Sequence, residues 1–344
     1  MNQVSPEDQG LAAKVAALKE PRAYPEPPGE ITTVQTHMSW VFLTAHNAYK
    51  LKKPVRQDYL DFSTLPAREH FCREELRLNQ RLAPGVYLDL VPLRRDARGE
   101  LRVAGPGETV EWLVKMRRLD AEHMLDRTIR SGTVQDAQIT ELGEVLASFY
   151  RDAPPAALSS AEYVANCRAA VALNLHLLGD PLFGLDAGAP QRVHAALLAL
   201  IERDAASFGA RAACIVEAHG DLRPEHICLN TPPVIYDRLE FNRGFRLLDP
   251  AEELSYLAME CELLGAPSVG ARVFEVYVAR SGDDPPVSVR HGYMAYRACL
   301  RARLAARHIL DRPREDWGRW LAEARRYLDA AERHCQAINP PAAR

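Results

Sequence analysis

The 344-residue sequence has no apolar run near the ~18 residues that a membrane-crossing helix needs, so no span is expected. Its start, MNQVSPEDQG, lacks a basic stretch followed by an apolar core and is not expected to be a secretory leader. Cysteine is sparse. The seven residues are an odd number, they are scattered, and none forms a C-x-x-C pair. That argues against a disulfide framework or a zinc site and for reduced thiols in a cytoplasm, most of them small buried hydrophobes. Charge of one sign is also scarce. A formal net charge of −3 makes neither nucleic acid nor an anionic membrane an expected partner. There is no internal repeat and no G-x-x-x-x-G-K-[ST], so a P-loop domain is expected to be absent. What is present is ordinary for a soluble globular chain, with 47% apolar and 26% charged residues and length enough for two lobes.

Periodicity divides the chain. Residues 1–30 read as an N-terminal arm, a short helical pattern broken by Pro21, Pro25, Pro27 and Pro28. From Ile31 the pattern turns to β. Met38–Thr44 is aromatic and β-branched, His46-Asn47 makes a turn, and Ala48–Lys52 follows as the next strand. A loop from Asp58 to Leu65 precedes a helix from Pro66 to about Leu82. Strands are expected at Val86–Leu93 and Val110–Met116. Beyond Asp120 the spacing is helical, with Ile139, Leu142, Val145, Leu146 and Phe149 as one stripe and Thr133 with Asp136 as its cap. Further helices are expected at Tyr163–Leu178, Val193–Phe208, Glu252–Leu264, twice within Val273–Leu310, and at Glu315–Ala337.

The stretch from His219 to Leu254 carries the chemistry. His219-Gly220-Asp221 opens a polar turn. Ile227-Cys228-Leu229 and Val234-Ile235-Tyr236, joined through Pro232 and Pro233, read as a small hairpin. Asp221 precedes the first run and Asp237 ends the second. A hairpin brings its open ends together, which puts a candidate base beside a candidate metal ligand. On the last helices, Tyr296-Arg297-Ala298 and Arg301-Ala302-Arg303 place several arginines on one helix. That reads either as a salt-bridged face or as a contact for an acidic substrate or phosphate.

HGDLRPEH, from His219 to His226, resembles the H-x-D-x-x-x-x-N catalytic loop of the protein-kinase-like phosphotransferases. The glycine after the histidine makes it similar to the aminoglycoside phosphotransferase and choline kinase branch. A poorly characterised aminoglycoside phosphotransferase-like group is resembled further, through THMSWVFLT, AYKLKKPV, LDFSTL, EELRLNQRLAP, VKMRRLD, DRLEFN and RLLDPAEEL, in order from Thr36 to Leu254. The resemblance implies an α+β, two-lobed kinase-like fold. A small antiparallel-sheet lobe would span residues 31–117 and a larger, mainly helical lobe residues 118–338. The latter would hold the catalytic loop 219–229 and the metal segment 234–249, with the nucleotide bound between lobes.

Roles follow from the same resemblance. Asp221 would be the base for a substrate hydroxyl, Arg223 would neutralise the γ-phosphate, and His219 would brace the loop. Ala48 and Lys50 share a strand face, matching an A-x-K in which the lysine holds phosphates. Lys52 has the same parity and is its rival. Glu75 would pair with that lysine, with Glu74 as the alternative. No G-x-G-x-x-G precedes the strand, so Thr36–Ser39 would cover the phosphates, Ser39 with its hydroxyl. Met116–Leu119 would be the hinge on the adenine. Asp237 would bind Mg²⁺, with Glu240 as an extra oxygen ligand, and Asp249 would brace the loops. His226 stands where the family keeps its metal-binding Asn, which brings Mn²⁺ in as the alternative ion.

The expected function is therefore ATP-dependent phosphoryl transfer to a hydroxyl of an unidentified small molecule. The alternatives are a nucleotide-binding pseudokinase serving as a regulatory module, favoured by His226, and a protein kinase. Acceptor identity and oligomeric state are not legible.

Overall fold

The computed structural model describes residues 6–57, 59–186 and 188–338. Positions 1–5 of the expected arm and Asp58 at the head of the expected loop lie outside the described residues. The chain divides into two compact units. One runs to Met124 and adds Val234–Phe245, and the other is Leu125–Pro233 with Arg246 onward.

The first unit is built on a six-stranded antiparallel sheet. Its strands are β1 (Thr32–Gln35), β2 (Ser39–Leu43), β3 (Asn47–Lys52), β6 (Tyr87–Arg95), β7 (Leu101–Val103) and β8 (Glu108–Arg117), in the order β1-β2-β3-β8-β6-β7. A two-residue ribbon, β4 (Arg56–Gln57) with β5 (Leu60–Asp61), follows β3. Alternation in β3 sends Tyr49 and Leu51 to one face, into a core with Phe42, Leu93 and Leu113. Helix α1 (Pro6–Leu18) closes that core with Val15 and Leu18. The opposite face of β3 carries Lys50 and Lys52, as period two requires.

Helix α2 (Leu65–Asn79) begins where the Thr64 side chain accepts from the Ala67 N–H, with Pro66 in its first turn. Its inward residues, Cys72, Glu75, Leu78 and Asn79, follow helical spacing. A buried ion cluster ties α1 and α2 to β8. Glu111 accepts from Arg68 at 2.9 and 2.8 Å and from Lys14 at 2.7 Å.

The second unit is mainly helical: α3 (Leu125–Ser131), α4 (Asp136–Arg151), α5 (Ser160–Leu178), α6 (Gly188–Arg203), α7 (Ala205–Arg211), α8 (Pro250–Leu263), α9 (Pro267–Ser281), α10 (Val287–Arg307) and α11 (Trp317–Ile338). The expected helix Val193–Phe208 is two helices that break at Asp204. The expected Thr133 cap is not the one formed. Gln135 precedes α4 and its N–H donates to the Gln138 side chain, while the Thr133 hydroxyl pairs with Ser131. The second unit also holds short strands β9 (Val216–Glu217), β10 (Ile227–Cys228) and β12 (Leu247–Leu248), with β9 paired to β12, while β11 (Val234–Ile235) falls in the first unit.

Every residue of α8 from Pro250 to Cys261 is buried, its three glutamates included. A helix buried on all sides must compensate its charges internally. Glu252 pairs with Arg297 of α10 at 2.8 Å, and Glu260 accepts from the Tyr327 hydroxyl at 2.9 and 3.1 Å. Ahead of α8, Asp249 caps the Ala251 N–H at 2.9 Å. It accepts from Nε and Nη2 of Arg211, each at 2.6 Å, and from the Tyr293 hydroxyl at 2.8 Å. Asp249 thus sits in a structural network.

Close helix contacts set one expected result. A Cβ on Gly270 of α9 would lie 2.4 Å from the Cα of Ala258 in α8. Gly270→Ala is expected to lower stability by about 1–3 kcal/mol through overpacking. Denaturant unfolding reads this directly, and an unchanged midpoint would mean that the α8–α9 contact is loose.

Candidate active site

In the first unit, Lys50 Nζ donates to Glu75 Oε1 at 2.7 Å and to Asp237 Oδ1 at 2.6 Å. Lys52 Nζ donates to the other oxygen of the same carboxylate, Glu75 Oε2, at 2.6 Å, and also to Glu240. Shared parity on β3 is what lets two lysines bracket one glutamate. Glu74 instead pairs with Arg77 on the exposed side of α2.

The segment after β11 is fastened to α2 and β6. The Arg238 N–H donates to the Asn79 side chain at 3.0 Å, and the Asp237 N–H donates to the Tyr87 hydroxyl at 3.0 Å. Asp237 adopts a left-handed φ of 61°, unusual for a residue with a side chain and a mark of an over-determined position. These bonds explain why Val234–Phe245 clusters with the sheet, although the segment 234–249 was expected within the helical part. The unit also extends to Met124, past the expected boundary at residues 117 and 118.

Burial alone would neutralise these groups, and their mutual charges oppose it. Burial pulls Lys50 down, but Asp237 and Glu75 raise it well above its ordinary value. Burial pushes Glu75 up, but Lys50 and Lys52 bring it below the usual range. Two cations face three carboxylates, and one acid is shifted against its charged form. That acid is Glu240, raised by burial and by the nearby charge of Glu75. Asp237 is the carboxylate with the most open side chain, 38% exposed, whereas Glu240 is committed to Lys52. A hard, accessible oxygen donor at Asp237 fits a Mg²⁺ ligand. Among the described residues no group of three or more His, Cys, Asp or Glu gathers as a metal site.

Ser39 is buried at the start of β2, with its hydroxyl 2.9 Å from that of Thr36. Met116 lies on β8 directly opposite Ala48 of β3.

In the second unit, Gly220 has a φ of 94°, the left-handed turn that only glycine makes without strain. The turn aims two successive N–H groups at Glu253 of α8, from His219 at 3.0 Å and from Gly220 at 2.6 Å. The Tyr150 hydroxyl completes the Glu253 carboxylate at 2.8 Å. His219 is fully buried, and its Nδ1 accepts from the Asp221 N–H at 3.2 Å. The Tyr256 hydroxyl donates to Asp221 Oδ1 at 3.0 Å. Burial raises the Asp221 carboxyl, but Arg223, His226, Arg301 and His219 together hold it below its usual 3.8.

Arg223 reaches Glu225, while its Nε is buried with no partner among the described residues. His226 Nδ1 lies 2.8 Å from the Asp221 carbonyl oxygen and 3.7 Å from Asp221 Oδ2. A ring nitrogen facing a carbonyl must donate, so this contact puts a proton on Nδ1.

Within the first unit the structure thus gathers Lys50, Lys52, Glu75, Asp237 and Glu240. Within the second it gathers His219, Asp221, Arg223 and His226. Sequence reasoning missed Glu253, Tyr256 and Tyr87. The only signal for the first two was an acidic helix start, PAEELSY, directly after the loops.

No family model matches the chain. Uncharacterized proteins of Mycobacterium tuberculosis and Mycobacterium bovis are 31% identical over 314 residues, which is 88% of this chain and 59% of theirs. The chain thus spans about three fifths of the length of these curated relatives. Among solved structures, a choline/ethanolamine kinase family protein from Mesorhizobium loti aligns with a TM-score of 0.54 at 15% identity, covering 96% of each chain. An aminoglycoside phosphotransferase in its GDP and kanamycin complex gives 0.56 at 13% identity, over 93% of this chain and 98% of that one. The choline kinase of Streptococcus pneumoniae gives 0.53 at 12%, over 96% and 100%. The antiparallel sheet unit and the helical unit are those of a kinase-like α+β fold, which the chain shares with these choline kinase and aminoglycoside phosphotransferase structures.

Proposed function

We propose that the chain is an ATP-dependent phosphotransferase whose acceptor is a hydroxyl of a small molecule. The observation that carries this reading is the fully buried Glu75, which holds Lys50 at 2.7 Å while Lys50 also reaches Asp237. A lysine oriented by a buried glutamate and shared with a partly exposed aspartate is the arrangement that phosphate binding needs. The solved neighbours named above as choline, ethanolamine or aminoglycoside kinases support the class.

The roles are those the resemblance implies, and the geometry within each unit supports them. Lys50 would hold nucleotide phosphates. Asp221 would accept the acceptor's proton, with Tyr256 fixing one carboxylate oxygen and the His219–Gly220 turn fixing the backbone. Arg223 would neutralise charge on the transferring group. Asp237 would hold Mg²⁺, which when bound supplies charge neutralisation between phosphates. The test is ATP turnover across a panel of alcohols, followed by product mass, beside calorimetric titration of an ATP analogue. Analogue binding with no product from any acceptor would favour the pseudokinase.

One observation gives that second reading its weight, namely His226 at the expected metal Asn. With Nδ1 on the Asp221 carbonyl, ligation by His226 would have to come from Nε2, a nitrogen where an amide would offer oxygen. Nitrogen suits Mn²⁺ better than Mg²⁺. His226→Asn is therefore expected to raise Mg²⁺-dependent turnover and to narrow the Mn²⁺ preference. Acid should weaken metal binding more in the wild type, because a proton competes for a ligating imidazole. Identical metal and pH profiles for the two proteins would remove His226 from the metal.

A further inference from the structure

The surroundings of Asp221 hold a group that the phosphotransfer reading leaves unused. Helix α8 presents Tyr256 and Glu260, four residues apart, and α10 presents Arg297 and Arg301 at the same spacing. The Tyr256 hydroxyl is on Asp221 Oδ1, and Arg297 lies over the Tyr256 ring at 5.3 Å. Arg297 has a close counter-charge in Glu252 at 2.8 Å, although its Nε is buried without a partner among the described residues. Arg301 is not matched in the same way. Its Nε stands 3.5 Å from Glu260 Oε1 and 3.4 Å from the Tyr327 hydroxyl, and that hydroxyl already serves both Glu260 oxygens. Burial also raises the Glu260 carboxyl, which weakens it further as a counter-charge. The two terminal nitrogens of Arg301 make no hydrogen bond among the described residues, and they are not sealed from solvent. The guanidinium fork of Arg301, on a side chain 16% exposed, is thus held on the Tyr327 ring, 5.4 Å from its centroid, beside the aspartate that meets the acceptor.

We infer that the phosphoryl acceptor is an anionic alcohol, a hydroxyl compound that also carries a carboxylate or phosphate, and that Arg301 binds its anionic end. This rests on the phosphotransfer reading and names its substrate class. Two permanent cations, Arg223 and Arg301, act on Asp221 and oppose the effect of its burial, which suits an anion and repels an amino sugar or a quaternary amine. A guanidinium matches carboxylate and phosphate with two parallel bonds. In the transfer step the acceptor oxygen bonds to the γ-phosphorus. The bond from that phosphorus to the β,γ-bridging oxygen breaks, ADP keeps the electron pair, and the acceptor proton passes to Asp221.

The test titrates two sets of probes into the intact protein, with and without an ATP analogue and Mg²⁺. The anionic set has a carboxylate arm of glycerate and gluconate and a phosphate arm of glycerol 3-phosphate and glucose 6-phosphate. The cationic set is choline, ethanolamine and kanamycin. At least one anionic probe is expected to bind, and the responding arm identifies the anion. In Arg301→Met that affinity is expected to fall at least about tenfold, as loss of a charge-assisted bond implies. Arg301→Lys is expected to keep part of it, and the ATP analogue should bind both variants as it binds the wild type. Thermal melts of the variants guard against misfolding, and Arg301→Lys decides if the Met variant is unstable. Binding by the cationic set alone, no binding by the anionic set, or equal anion affinity in wild type and variants would overturn the inference. Failure of the ATP analogue to bind the wild type would instead overturn the phosphotransfer reading, and the nucleotide-free titration separates the two.

Discussion

Asp221→Asn is expected to lower kcat on the order of 10³-fold, within the span that loss of a positioned base produces, while nucleotide affinity stays unchanged. Asn keeps the shape and can still accept from the Tyr256 hydroxyl, which lies 3.0 Å from Oδ1. It cannot take a proton. The loop should also keep its form, because His219 and Gly220 are fixed through Glu253 and the Asp221 backbone N–H and not through the Asp221 side chain. The pH profile adds a second check. Asp221 is held below 3.8 by the cations around it, so it stays ionised through the whole acid range in which enzymes are normally assayed. An acid limb in kcat/KM near neutrality would therefore belong to another group. Single-turnover transfer from labelled ATP measures the effect, and wild-type turnover by Asp221→Asn would falsify the base assignment.

Much of the fold was legible because its signals were local. The strand Ala48–Lys52 and the helix after Pro66 were marked by period and by proline, and both stand within a few residues of expectation. Glu75 over Glu74 was legible only through motif spacing, since both lie on the same helix and only packing turns one inward. The choice between Lys50 and Lys52 could not be made from parity, and the structure uses both on one carboxylate. What the sequence hid came from long-range pairing. Glu253 reads as an ordinary first-turn acid of α8, yet it organises the turn 33 residues earlier. Tyr87 sits in a β-strand pattern with nothing to mark its hydroxyl for Asp237. Such contacts join segments far apart in the chain, and no periodicity encodes them. Arg301 was visible within an arginine-rich helix. Only the geometry separates it from Arg297, which has its glutamate at 2.8 Å.

The two lysines of β3 should separate in their effects. Lys50→Met is expected to weaken nucleotide binding by about 1.5–3 kcal/mol, the worth of a hydrogen bond to a charged group, and to change stability little. Its two carboxylates are not stranded by the change, since Glu75 keeps Lys52 and Asp237 is 38% exposed to water. Lys52→Met should behave in the opposite way. It leaves Glu240, whose side chain is 9% exposed, without its lysine and leaves Glu75 with Lys50 alone. Breaking a buried pair in this manner costs about 3–5 kcal/mol. The loss should be smaller in acid. Glu240 is already raised above its ordinary value by burial, and removal of Lys52 raises it further. A carboxyl that binds its proton more tightly when folded adds stability at low pH and loses it as pH rises through the folded value. Nucleotide affinity of Lys52→Met, measured where the variant is folded, should stay close to wild type. Urea unfolding at two pH values, beside calorimetric titration of an ATP analogue, resolves both axes. If Lys52→Met were stable but failed to bind nucleotide while Lys50→Met bound it normally, the phosphate lysine would be Lys52, and Lys50 would be the structural partner of Glu75.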